Sequence, residues 1–150
     1  MEFADRGIVI ASDVCTNLIQ LGSVYAKYKL PVALQKGLGF LTFDAFNPPL
    51  EPRQFDGVVM FSALHHFPDP TGFLKRLRDM IRDDGFVGVY CEPCDPSATG
   101  GEDYIRDLSA GVNEQIFSIA EYEEIFRSSG LKSIVLQDDG GSLKAILEPA

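Results

Sequence analysis

Gln54-Phe55-Asp56-Gly57-Val58-Val59-Met60-Phe61-Ser62-Ala63-Leu64-His65-His66-Phe67-Pro68-Asp69 decides the fold. Phe55 to Phe61 is an apolar run broken only by Asp56 and Gly57. It lacks the apolar/polar alternation of a half-solvated strand, so it reads as a strand covered on both faces. A short polar turn follows, and it holds both histidines of the chain. Asp69-Pro70 then starts a helix: a carboxylate suits the cap and proline suits the first helical position. Strand, polar turn and helix together place chemistry at the carboxyl end of a strand in an open α/β sheet.

The flanking sequence repeats the alternation. Gly7 to Ala11 reads as a strand ending at Ser12-Asp13. Thr16 or Asn17 opens a helix to about Lys29, with Leu18, Leu21, Tyr25 and Tyr28 at helical spacing toward a core. Leu38 to Phe43 is the next strand, and Asp44 follows it. The helix after Asp69 carries Phe73, Leu74, Leu77, Met80 and Ile81 inward and ends at Asp84-Gly85. Phe86 to Glu92 is a fourth strand. A short helix spans Asp103 to Leu108, and Ser118-Ile119-Ala120-Glu121 opens another as a capping box. Leu131 to Gln137 and Leu143 to Glu148 flank a turn rich in Asp and Gly, so they pair antiparallel. The fold class is α/β: a mostly parallel sheet with helices on its faces and an antiparallel C-terminal hairpin. The 150 residues make one domain.

Composition narrows the function. A net charge of −9 disfavours wrapping a nucleic-acid backbone. No apolar run approaches the about 20 residues that span a bilayer, and no leader pattern is visible, so a cytoplasmic location is expected. Three cysteines argue against a secreted disulfide framework.

Phe55-Asp56-Gly57-Val58 and Leu64-His65-His66-Phe67-Pro68-Asp69-Pro70 resemble the fourth-strand region of class I, Rossmann-like S-adenosylmethionine-dependent methyltransferases. Arg82-Asp83-Asp84-Gly85-Phe86-Val87 is similar to that family's next helix-to-strand turn, and the terminal hairpin matches its antiparallel end. The resemblance implies a three-layer Rossmann-like sheet, S-adenosylmethionine as cofactor, and a small-molecule acceptor with an oxygen, nitrogen or carbon nucleophile. It implies cofactor contacts at Asp13 (ribose hydroxyls), at Asp44 with Ala45 and Phe46 (adenine), and at Ser62, Ala63 and Leu64 (the methionine end). His66 and His65 then stand on the acceptor side. A neutral imidazole there can take the proton that an oxygen or nitrogen acceptor must lose. Glu92, Tyr104 and Glu114 are candidates to bind the acceptor.

Two features depart from the family. Its first strand and Gly-rich turn belong well before Asp13, yet only twelve residues precede Asp13. Met1 to Arg6 resembles the tail of the helix after that turn. The expectation is an N-terminally truncated chain, with a homo-oligomer or a partner chain covering the absent strand. As an alternative, the chain is a non-catalytic fragment or partner subunit with no cofactor of its own. Asn47-Pro48-Pro49-Leu50 resembles an amino-group methyltransferase motif but precedes the fourth strand, so it reads as a proline-rich loop. Cys91-Glu92-Pro93-Cys94 is a lone C-x-x-C. Zinc would need two further ligands, for which His65 and His66 at the same sheet edge are the candidates, and the preferred reading is a strand cysteine and a loop cysteine with no metal.

Overall fold

The strands among the described residues form two sheets, one in each of two compact units, and the chain passes from the first unit to the second between Pro49 and Leu50. A computed structural model describes residues 7–150. The expected helix tail at Met1 to Arg6 lies outside the described residues.

In the first unit, β1 (Val9–Asp13) pairs in parallel with β2 (Leu38–Thr42), from Val9 opposite Leu38 to Asp13 opposite Thr42. Two helices connect them: α1 (Thr16–Lys29) and the single-turn α2 (Val32–Gln35). Leu30-Pro31 ends α1 as expected, because the residue before a proline is pushed out of the helical region. The inward face of α1 differs from the expected one. Ile19, Gly22, Ser23 and Ala26 are the shielded positions. Gly22 admits the Phe40 ring of β2 at 3.6 Å from where a Cβ would stand. Leu18, Leu21, Tyr25 and Tyr28 are all exposed, Tyr28 at 79 %. Small residues allow close approach of helix to strand, so the small face packs and the larger apolar face is left in solvent. Among the described residues of this unit only Ala26 is buried.

In the second unit the strand order is β3–β4–β6–β5. β3 (Phe55–Phe61) runs parallel to β4 (Ile81–Pro93). β6 (Ser142–Pro149) runs against both β4 and β5 (Leu131–Asp138). Three of the four strands therefore share a direction, and β6 alone opposes it. The turn between β5 and β6 places Gly140 and Gly141 at positive φ (63° and 89°), where a Cβ would be strained. Burial on both faces holds for β4, where Val87, Gly88 and Val89 are consecutively buried. It fails for β3: Met60 is buried but Phe61 is 66 % exposed, because β3 is an edge strand with one face uncovered.

Helix α3 (Pro70–Met80) starts as the sequence dictates, with Asp69 Oδ1 accepting from the Gly72 N–H at 2.8 Å. Phe73, Leu74 and Leu77 are buried on one face, each worth about 1.5–3 kcal/mol of apolar transfer. The helix stops at Met80, not at Asp84. Ile81 is already extended (φ −86°, ψ 156°) and pairs with Phe55. Gly85 is required beyond it, since a Cβ there would stand 3.0 Å from the carbonyl oxygens of Asp56 and Arg82. Helix α4 (Glu102–Ser109) is short and amphipathic. Helix α5 (Ile119–Ser128) carries the full capping box, with Ser118 and Glu121 exchanging hydrogen bonds, and buries Tyr122 and Phe126. No helix among the described residues is long and apolar enough to cross a membrane.

Candidate active site

The site is built where β3 and β4 end side by side. At the end of β3, Ser62 takes the left-handed region (φ 46°) and its N–H donates to the Tyr90 carbonyl at 2.8 Å. A non-glycine residue held there is uncommon and marks a turn fixed by its surroundings. Leu64–His66 then form a single 3-10 turn. On β4 the register to β6 slips between Tyr90 and Glu92, with Cys91 at φ 60° as the extra residue. Such a bulge re-aims the side chain that follows it.

That side chain is Glu92, and it is fully buried. Its Oε1 accepts from the N–H groups of Ala63 (2.8 Å) and Leu64 (2.9 Å). Its Oε2 accepts from the His65 N–H (3.0 Å) and lies 2.6 Å from His65 Nδ1. Burial by itself would raise the Glu92 pKa. The His65 hydrogen bond and the two backbone donors outweigh it and hold the carboxyl below its ordinary range. An ionised Glu92 accepts at Oε2, so the proton of a neutral His65 sits on Nδ1 and Nε2 carries the lone pair. Glu92 shapes the turn and has no surface left for an acceptor molecule.

The segment between α4 and α5 closes over this turn. Asn113 Nδ2 donates to the His66 carbonyl (3.0 Å), and Gln115 Nε2 donates to those of His65 (3.2 Å) and Phe67 (2.8 Å). These two amides bracket Glu114. Its Oε1 lies 3.4 Å from His65 Nε2, and its Oε2 lies 3.2 Å from His66 Nδ1. His66 Nδ1 also faces the Asn113 carbonyl at 3.0 Å. The two imidazoles are 3.9 Å apart between ring centres. His65 is buried, whereas the His66 side chain is 40 % exposed. Glu114 and Tyr104 also line one cavity of about 280 Å³, together with Asp103, Asp107 and Ile116. The structure thus brings together four of the expected site residues: His65, His66, Glu114 and Tyr104.

The remaining expected residues divide by unit. Ser62 is exposed and Ala63 half-buried, but the Leu64 side chain lies wholly in the core. In the first unit, Asp13 and Asp44 are exposed carboxylates at the carboxyl ends of β1 and β2. Asp13 Oδ1 accepts from the Cys15 N–H at 2.7 Å, and Asp44 Oδ1 from the Phe46 N–H at 2.9 Å. Each keeps one strand-end turn in shape. Ala45 and Phe46 are half-buried beside Asp44.

A family model described as "Methyltransferase domain" matches residues 2–89, more than half of the chain. The chain belongs to the methyltransferase domain family. A comparison with curated proteins finds no match in sequence. Among solved structures, the methyltransferase domain is similar to a chain from the complex between the Haloferax volcanii Trm112 methyltransferase activator and its methyltransferase. That match has a TM-score of 0.79 and 16 % identity, covering 99 % of this chain and 76 % of that one. It is also similar to a geranyl diphosphate methyltransferase solved with S-adenosylmethionine (TM-score 0.75, 11 % identity, 96 % and 69 % covered). A third similarity is to an O-methyltransferase from neocarzinostatin biosynthesis, solved with S-adenosylmethionine and 2-hydroxy-5-methyl naphthoic acid. There the TM-score is 0.71 and the identity 17 %, and the coverage is 94 % of this chain but only 41 % of that one. These likenesses establish the Rossmann-like fold.

Sequence reasoning did not single out Asn113 and Gln115, which fix Glu114 against the histidines. Their signal was two amides flanking a carboxylate in a loop, and loops offer no periodicity to read. The cysteines of the C-x-x-C separate: Cys91 is exposed, and Cys94 is buried with its thiol pushed up to about 11 by burial and by Asp138. A protonated Cys94 suits neither a redox nucleophile nor a thiolate ligand.

Proposed function

We propose that this methyltransferase domain transfers a methyl group from S-adenosylmethionine to an oxygen or nitrogen of a small molecule held beside Tyr104 and Glu114. The observation that carries this reading is the cluster of His65 and His66, on a turn clamped by a buried carboxylate, with Glu114, which also lines a cavity. The sulfonium is a good leaving group, so positioning supplies most of the catalysis. An O–H or N–H acceptor must still shed a proton, and the half-exposed His66 is the group placed to receive it. His65 is buried with Nδ1 committed to Glu92, so it orients the turn and sets Nε2 toward Glu114. In the first unit, the family resemblance would give Asp13 the ribose hydroxyls, and Asp44, Ala45 and Phe46 the adenine. A cytoplasmic location accompanies this reading.

A second reading is a non-catalytic partner subunit. The exposed apolar face of α1 and the exposed Phe61 on the edge strand β3 favour it, since both suit cover by another polypeptide. Transfer of labelled methyl from S-adenosylmethionine to a panel of small hydroxyl and amine compounds separates the two. Methyl transfer lost in His66→Ala supports the enzyme. Cofactor binding with no transfer to any compound, and none gained on adding candidate partners, would sink it.

A further inference from the structure

We propose that His65, His66 and Glu114 bind a divalent transition-metal cation of the zinc type. One nitrogen or oxygen donor from each residue lies within 4.8 Å of the others. The donor set is two imidazoles and one carboxylate, which is the ligand chemistry of such cations when positions are left open for substrate.

The Glu114 carboxylate faces both imidazoles. Nδ1 of His65 is held by Glu92 at 2.6 Å, which leaves Nε2 facing Glu114 Oε1 at 3.4 Å. His66 Nδ1 stands between two further acceptors, the Asn113 carbonyl and Glu114 Oε2. Glu114 Oε2 is buried and has no hydrogen-bond partner. Lone pairs turned toward one another repel unless something positive lies between them, and a buried unmade hydrogen bond is costly. A cation at about 2.1 Å from each donor would give Glu114 Oε2 the partner it lacks, with the donors drawn in from their present spacing of up to 4.8 Å. The remainder of a metal site is also in place. Glu92 on Nδ1 of His65 is the outer carboxylate that orients a ligating imidazole. The amides of Asn113 and Gln115 hold the loop that carries the third ligand. Glu114 also lines the cavity of about 280 Å³, through which a small molecule could approach the third ligand. A cation there would bind the acceptor oxygen and lower its proton affinity, in place of proton transfer to His66, whose Nε2 carries the proton once Nδ1 ligates; this deepens the methyl-transfer reading and depends on it only for that use.

The full chain, stripped with a chelator, is titrated with Co2+ while visible d–d absorption is read, and with Zn2+ by calorimetry. The expected result is one equivalent bound with a dissociation constant below about 10 µM. Glu114→Gln and His66→Ala each weaken it about tenfold or more. Cys91→Ser leaves it unchanged. Circular dichroism on each variant establishes that it is folded, and the half-exposed His66 is the safer of the two. No bands and no heat at one equivalent overturn the proposal. So does binding that survives both variants or shows thiolate charge-transfer bands. Cofactor binding without metal uptake sinks the metal site alone, whereas metal uptake without methyl transfer sinks only the methyl-transfer reading.

Discussion

Glu92 carries more of the site than any other residue. Four donors converge on one fully buried carboxylate, and three of them are the backbone of the turn that bears the histidines. Removing the carboxylate orphans the His65 ring and three N–H groups together. Glu92→Ala is expected to cost about 3–5 kcal/mol, a large part of the stability of a domain this size, read as a fall in the urea midpoint. The pH dependence has a definite sign. The folded-state pKa of Glu92 lies below its ordinary value of 4.5. Its contribution is therefore fully present above pH 4.5 and is lost as pH falls below that toward the folded value. Thermal unfolding from pH 7 to pH 3 should show that loss, and Glu92→Gln should show less of it. The sequence placed Glu92 at a strand end but assigned it to the acceptor. The bulge at Cys91, which turns the carboxylate inward, has no sequence signature.

At the scale of elements, apolar runs and caps were legible and faces were less so. Asp69-Pro70, the Ser118–Glu121 capping box and the Gly-rich turn at Gly140-Gly141 each encode local backbone geometry, and each forms where the sequence put it. The end of α3 was misplaced because Ile81 continues the apolar stripe, and only pairing with Phe55 pulls it into a strand. Helix α1 shows the limit most clearly. Periodicity gave a stripe of Leu18, Leu21, Tyr25 and Tyr28, yet close packing against β2 selected the small face of Gly22 and Ala26. Leu21, 65 % exposed, is expected to tolerate Leu21→Ser within about 0.5 kcal/mol. A loss of several kcal/mol in the urea midpoint would show that this face is covered in solution.

For the whole molecule, the order of elements made the α/β class and the family legible, because alternation and the terminal hairpin are global patterns. The division at Pro49 was not legible, since the loop of Asn47-Pro48-Pro49 reads like any other connection. The units differ in how much they bury: Val87, Val89, Tyr122, Leu143 and Leu147 are almost wholly enclosed in the second, whereas only Ala26 is buried among the described residues of the first. Native-state hydrogen exchange should therefore find amides of β1 and β2 opening at lower free energy than those of β4 and β6. Equal protection in both would contradict this reading of their cores. The proposed ribose contact at Asp13 is tested most directly by calorimetric titration of the chain with S-adenosylmethionine. Binding tighter than about millimolar is expected, weakened about tenfold or more by Asp13→Ala as a charge-assisted hydrogen bond is lost. No detectable heat and no thermal shift, or binding indifferent to Asp13→Ala, would contradict it.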